Sequence, residues 1–151
     1  MRAPNCFIMA MLSLLSLTVY AGTGLNLRVY NYTGAPLLIK GDINECMKIA
    51  LPEQDLSIAN ELSEFDMEES NQGSCYGRWS SEKVIVKAEG GALAELTIKM
   101  QPGFLGNGYR LKIVDRQVFD SHYEIYTYPE AVPIATWSKT SASLVISRAQ
   151  R

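Results

Sequence analysis

The sequence predicts an all-β protein, a single antiparallel β-sandwich with one disulfide. Three observations predict it. Apolar residues recur with a period of two, short β-rich runs are separated by turn-forming residues, and two cysteines remain once an apolar leader is set aside.

The leader comes first in the chain. Met1-Arg2 is followed from Cys6 to Tyr20 by an uncharged run containing Phe7, Ile8, Met9, Leu12, Leu14, Leu15, Leu17 and Val19. That run is shorter than the roughly 20 apolar residues that span a bilayer comfortably. Its end, Val19-Tyr20-Ala21-Gly22, presents modest side chains at the positions a signal peptidase reads. Residues 1–21 are therefore expected to be a cleaved signal peptide, and residues 22–151 a single β-sandwich domain with no transmembrane segment after cleavage. The expected location is secreted or periplasmic. Removing the leader takes one of the 14 Lys and Arg and none of the 16 Asp and Glu, so 13 basic against 16 acidic residues leave a formal charge of −3. A mildly acidic balance with no basic stripe argues against nucleic acid as a partner.

Cys6 leaves with the leader, so Cys46 and Cys75 are the pair that remains. In an oxidising compartment an even pair reads as one disulfide, the alternative being two separate buried thiols. Closing the intervening loop contributes about 3 kcal/mol by the chain-entropy relation.

Along the domain, Leu25, Leu27 and Val29 alternate with Asn26, Arg28 and Tyr30. Leu96, Ile98 and Met100 alternate with Glu95, Thr97 and Lys99, and Leu111 and Ile113 with Arg110 and Lys112. Alternation of this kind covers a core with one face of a strand and leaves the other to solvent. Further β-rich runs fall at 37–40, 46–51, 83–88, 123–128, 134–137 and 143–147. Glu89-Gly90-Gly91 predicts a tight hairpin between 83–88 and 93–100, since glycine accepts the positive φ such a turn demands. Tyr32-Thr33-Gly34-Ala35-Pro36 predicts a turn between the first two strands, and residues 102–108 a loop carrying Phe104 and Leu105. The stretch 53–69 holds seven acids, Glu53, Asp55, Glu61, Glu64, Asp66, Glu68 and Glu69. Leu56, Ala59 and Leu62 have helical spacing, whereas Phe65 and Met67 alternate as in a strand, and extended structure is expected over 62–67.

Groups that carry chemistry are sparse. His122 is the one histidine, and no zinc, phosphate-cradling or nucleophile-elbow motif is present. His122 beside Asp120 and Ser121 has the composition of a triad, but neighbours on a strand point apart, so the expectation is an ordinary loop or strand-edge residue. The acids at 53–69 and Asp42-Ile43-Asn44-Glu45 lack the ordered spacing of a calcium loop, and a solvated surface is the expected role. No cofactor, metal site or catalytic residue is assigned.

Aromatics carry the functional expectation. Tyr126 and Tyr128 share a face opposite Tyr123 and Ile125, and Phe104 and Tyr109 flank the Gly106-Asn107-Gly108 turn. Exposed rings supply contact area at little entropic cost. Phe104, Tyr109, Tyr126 and Tyr128 are accordingly the candidate ligand-binding residues, weighed against simple cross-strand packing. In Cys75-Tyr76-Gly77-Arg78-Trp79, Arg78 is placed to stack on a ring, and Trp79 is expected to fill the core beside the disulfide.

The mature N-terminal half, with a first strand ending Val29-Tyr30-Asn31-Tyr32-Thr33-Gly34, a second strand from Leu37, and residues 62–70 leading into Gly73-Ser74-Cys75-Tyr76-Gly77-Arg78-Trp79, resembles the aegerolysin-like β-sandwiches, small proteins associated with lipid membranes. The resemblance covers about half the domain and implies the sandwich architecture. The cysteine pair and the acidic stretch depart from that pattern, and no functional residue is carried over. The expected function is a non-enzymatic binding or interaction module for a glycan, lipid or protein surface. The alternatives are a membrane-active sandwich and a small secreted hydrolase or inhibitor.

Overall fold

A computed structural model describes residues 24–150 apart from 59–60, 102–108 and 134–139; the side chains of Tyr109 and Pro133 are also outside the description. The expected signal peptide, the strand at 134–137 and Phe104 all lie outside the described residues.

Eleven strands are described: β1 Gly24–Tyr32, β2 Leu37–Glu45, β3 Met47–Ile49, β4 Leu56–Ile58, β5 Glu61–Glu69, β6 Ser80–Ala88, β7 Gly91–Met100, β8 Tyr109–Val118, β9 Tyr123–Tyr128, β10 Ala131–Pro133 and β11 Thr140–Arg148. They form two sheets, one in the order β3-β5-β1-β11-β9 and one in the order β10-β8-β7-β6-β2-β4. Among the described residues every pairing is antiparallel except one: β1 lies parallel to β11, with Tyr30 opposite Val145.

Period-two burial is realised on both sheets. Leu25, Leu27 and Val29 of β1 and Ala142, Leu144 and Ile146 of β11 are fully buried, and they meet Val84 and Val86 of β6 and Leu96 and Ile98 of β7 in one core. Each Val, Leu or Ile side chain among them contributes about 1.5–3 kcal/mol on removal from water, before entropy is charged against it. Within the acidic stretch Glu61–Glu69 forms β5, as expected for 62–67. The helical spacing of Leu56 is not used, because β4 pairs with β2, placing Ile58 in the core.

Turn chemistry follows the glycines at two positions. Gly34 takes φ 77° between β1 and β2, and Gly91 takes φ 127° where β7 leaves the hairpin with β6. Within the first of these turns Asn31 is buried. Its Nδ2 donates to the Ala35 carbonyl at 2.8 Å, and its Oδ1 accepts from the Thr33 hydroxyl at 2.7 Å. Buried and bonded in this way, the asparagine locks the turn.

Gly41 meets a different demand, close approach. A Cβ there would stand 2.6 Å from the Leu51 carbonyl oxygen and would also strike the Glu82 carboxylate. The space is filled by a small polar knot in which Gly41 N–H donates to the Pro52 carbonyl at 2.9 Å and Leu51 N–H donates to Glu82 Oε1 at 2.8 Å. Glu82 is fully buried, and burial pushes its carboxyl up to about 7, partly offset by the Leu51 bond.

Candidate functional site

The cysteines pair. Cys46 and Cys75 are joined with Cα atoms 5.4 Å apart across 29 residues. The bridge fastens the short 3-10 turn Gly73–Cys75 to the junction between β2 and β3. From there the chain enters β6 under further restraint: Gly77 N–H donates to Asn71 Oδ1 at 3.1 Å, and the Ser80 hydroxyl donates to the Cys46 carbonyl at 2.7 Å.

Trp79 is placed differently from the expectation that it fills the core. Ser80, Glu82, Val84 and Val86 are the inward set of β6, so Trp79 falls in phase with the outward set and is 43% exposed. The alternation of Val84 and Val86 with Lys83 and Lys87 already carries this phase, and extending it back to residue 79 would have found the exposed ring.

Tyr126 and Tyr128 stand where the period-two reading puts them, on the outward face of β9, 55% and 78% exposed, while Ile125 is buried and Tyr123 packs against the core. They lie on an edge strand of the five-stranded sheet. Backbone pairing extends the face across the sheet. Leu62 of β5, Tyr30 of β1, Val145 of β11 and Tyr126 of β9 form one cross-strand row, roughly 14 Å long at the usual strand spacing. Glu64, Arg28, Ser143 and Tyr128 form the row beside it on one side. On the other side Tyr32 lies opposite Ser147, which lies opposite Glu124. Tyr30 and Tyr32 stack with ring centroids 6.1 Å apart and planes inclined by 23°.

Tyr30 and Tyr32 are thus members of the same face that the sequence reading did not select. Their signal was available, since the alternation that buries Leu25, Leu27 and Val29 turns both tyrosines outward. Of the other two expected site residues, Tyr109 begins β8 in the opposite sheet and Phe104 is not described. The structure therefore brings Tyr126 and Tyr128 together with Tyr30 and Tyr32, and places the backbone of Tyr109 elsewhere.

Polar groups edge the aromatic face. Tyr126 OH donates to Glu124 Oε2 at 2.7 Å, which holds the phenol above its usual range, chiefly through that hydrogen bond. Arg28 Nε donates to Glu64 Oε1 at 2.9 Å, and Asn26 Nδ2 to Asp66 Oδ1 at 3.1 Å. On the neighbouring edge Lys48 Nζ reaches Glu68 Oε1 at 2.8 Å. Glu64, Asp66 and Glu68 of β5 are therefore spent in cross-strand pairs along a ribbon. Among the described residues no group of three or more His, Cys, Asp or Glu converges on a point where a metal could sit.

His122 lies in the turn between β8 and β9, so the argument that strand neighbours point apart does not apply to it. Its Nδ1 is 2.8 Å from Asp120 Oδ1, and the same oxygen accepts from the His122 backbone N–H at 2.9 Å. These bonds, the backbone one first, hold the Asp120 carboxyl below its usual range. Among the described residues the ring's hydrogen bonding is to Asp120, with no hydroxyl or thiol joined to it, and the arrangement reads as a local turn clasp.

With this geometry in view, the chain can be set against known proteins. No family model matches it, and no curated protein matches it. Solved structures do. The RahU protein, crystallised in complex with a TRIS molecule, superposes with a TM-score of 0.62 at 7% identity, over 87% of this chain and 98% of RahU. IP-1A from Alcaligenes faecalis gives 0.61 at 7% identity, over 87% and 96%. The lipid binding protein Nakanori gives 0.44 at 15% identity, over 86% of this chain and 72% of Nakanori. RahU belongs to the aegerolysin family, and the likeness to it covers 87% of this chain. It is a likeness of fold at very low sequence identity.

Proposed function

We propose that this protein is an exported, non-enzymatic binding module that lays the outer face of its five-stranded sheet against an extended glycan. The observation that carries the reading is the spread of Tyr30, Tyr32, Tyr126 and Tyr128 over one nearly continuous outward surface, three of them more than half exposed. A flat ring offers its π-face to the C–H face of a sugar. The flanking Glu124, Arg28 and Asn26 offer acceptors and donors to the hydroxyls at its rim. A row four strands wide, with rings up to 78% exposed, matches a chain of sugars better than a single small molecule. Secretion and removal of residues 1–21 belong to the same proposal and rest on the apolar leader and the paired cysteines.

A glycan and lipid array probed with residues 22–151 tests it. Retention on oligosaccharides is expected, and truncation at Tyr126→Ala, Tyr128→Ala or Tyr30→Ala should each weaken it by about 1–2 kcal/mol, with circular dichroism confirming the fold. Binding to vesicles with none to glycans, or unchanged affinity in all three variants, overturns the reading; the first result would revive the membrane-active alternative.

A further inference from the structure

The outer face of the six-stranded sheet holds a second feature with its own chemistry. The cleft in front of Trp79, about 340 Å³, is lined by Glu45, Trp79, Ser81, Lys99, Lys112 and Val114. Four of these belong to one cross-strand row: Glu45 of β2 lies opposite Ser81 of β6, Ser81 opposite Lys99 of β7, and Lys99 opposite Lys112 of β8.

Like charges directly opposite each other in a sheet repel and cost stability. The other described lysines avoid that cost by pairing: Lys40 with Asp42, Lys48 with Glu68, Lys83 with Glu95 and Lys87 with Asp55. Among the described residues Lys99 and Lys112 have no carboxylate partner, and in their row the nearest acid, Glu45, is two strands, or roughly 10 Å, from Lys99. Two adjacent ammonium groups that line one cleft make a positive pair that two oxygens of one anion can bridge.

The aromatic wall of the cleft is built. Trp79 follows the Cys75 side of the disulfide and Glu45 precedes the Cys46 side, so the bridge restrains the end of the cleft that these two residues form. The Ser80 bond to the Cys46 carbonyl adds a second tie directly beside the indole. Lysines on a flexible surface need no such fixed neighbour; a ring held beside them specifies something that carries both an anion and a flat apolar face.

We propose that this cleft binds a phosphate or sulfate monoester carried on a sugar ring, with the anion between Lys99 and Lys112 and the ring against Trp79. The site is on the sheet opposite the tyrosine face and does not depend on the role assigned to that face. A sugar ester of this kind occurs free and as a lipid headgroup, and the test separates the two.

Calorimetric titration of residues 22–151 with glucose 6-phosphate, glucose 6-sulfate and glucose is the first arm. Both esters should bind and glucose should not, with affinity falling as salt is raised. Lys99→Gln and Lys112→Gln should each weaken the ester roughly fivefold or more, Trp79→Ala should weaken it similarly, and Lys87→Gln should leave it unchanged. Flotation with phosphatidylcholine vesicles, with and without phosphatidylinositol phosphate, is the second arm. Capture by the phosphoinositide vesicles, lost in Lys99→Gln, assigns the lipid source, and esters bound without vesicle capture assign the free one. Equal heats for glucose and its esters, or esters bound equally by wild type and both lysine variants, overturn the proposal. Circular dichroism of each variant keeps a folding failure from counting as loss of the site.

Discussion

The two outward faces of this sandwich share a scaffold and differ in nearly everything else. Both sheets turn aliphatic residues inward at every second position, Leu25, Leu27 and Val29 on one and Val84, Val86 and Ile98 on the other. Outside, the five-stranded sheet carries tyrosines edged by neutralised ion pairs, whereas the six-stranded sheet carries lysines, of which Lys99 and Lys112 lack a counter-charge among the described residues. The inward set answers to the core and has little freedom. The outward set answers to water or to a ligand, so departures from a mixed, paired surface are where function is to be sought.

The disulfide is the sharpest way to break the comparison, because it shapes one face and not the other. Replacing Cys46 and Cys75 together by alanine should cost about 3 kcal/mol, read as a shift in the urea midpoint. It should also redden or broaden the emission of Trp79 as the loop 71–79 loosens, while the stacked pair Tyr30 and Tyr32, in β1 and remote from the bridge, should keep its near-ultraviolet dichroism.

A smaller effect distinguishes the inner side of the six-stranded sheet. Glu82 has its folded value raised to about 7 from an ordinary 4.5, so the fold favours the protonated form. Below about pH 4.5 the group is neutral both folded and unfolded and costs nothing; as pH rises towards 7 the folded state binds the extra proton and stability falls, and above 7 the loss is complete. Burial softened by relaxation puts that loss at about 2 kcal/mol. Glu82→Gln retains an oxygen for the Leu51 N–H and should flatten the dependence. Urea melts at about pH 5 and about pH 8 should converge for this variant and differ for the wild type.

The smallest effect belongs to the ion pairs that edge the tyrosines. Arg28 and Glu64 are each close to half exposed, and a double-mutant cycle with Arg28→Ala and Glu64→Ala should return a coupling of about 0.2–1 kcal/mol that shrinks in high salt. A coupling well above that range would mean that this edge is a structural element of the sheet as well as a rim for ligand.

Much of this molecule is legible in its residue order. Period two places the strands and their inward faces, a count of cysteines after an expected cleavage pairs Cys46 with Cys75, and glycines at 34 and 91 mark turns that demand positive φ. Tyr126 and Tyr128 face outward on the same rule, and Trp79 would have done so had the phase of β6 been carried one step further back. These are local properties, set by the geometry of an extended chain and the sterics of single residues.

Which faces meet which is another matter. Tyr30 and Tyr126 share a row because β1 runs parallel to β11 and β11 pairs with β9, bringing together segments almost a hundred residues apart. Lys99 stands opposite Lys112 because of the register between β7 and β8, which shifts at a bulge between Glu95 and Thr97. A strand's own sequence says that it has an apolar side; it does not say which neighbour it takes or in what register. Those choices are settled when the whole chain closes one core, because the free energy that selects them is the shared burial of both sheets and is not carried by any one segment.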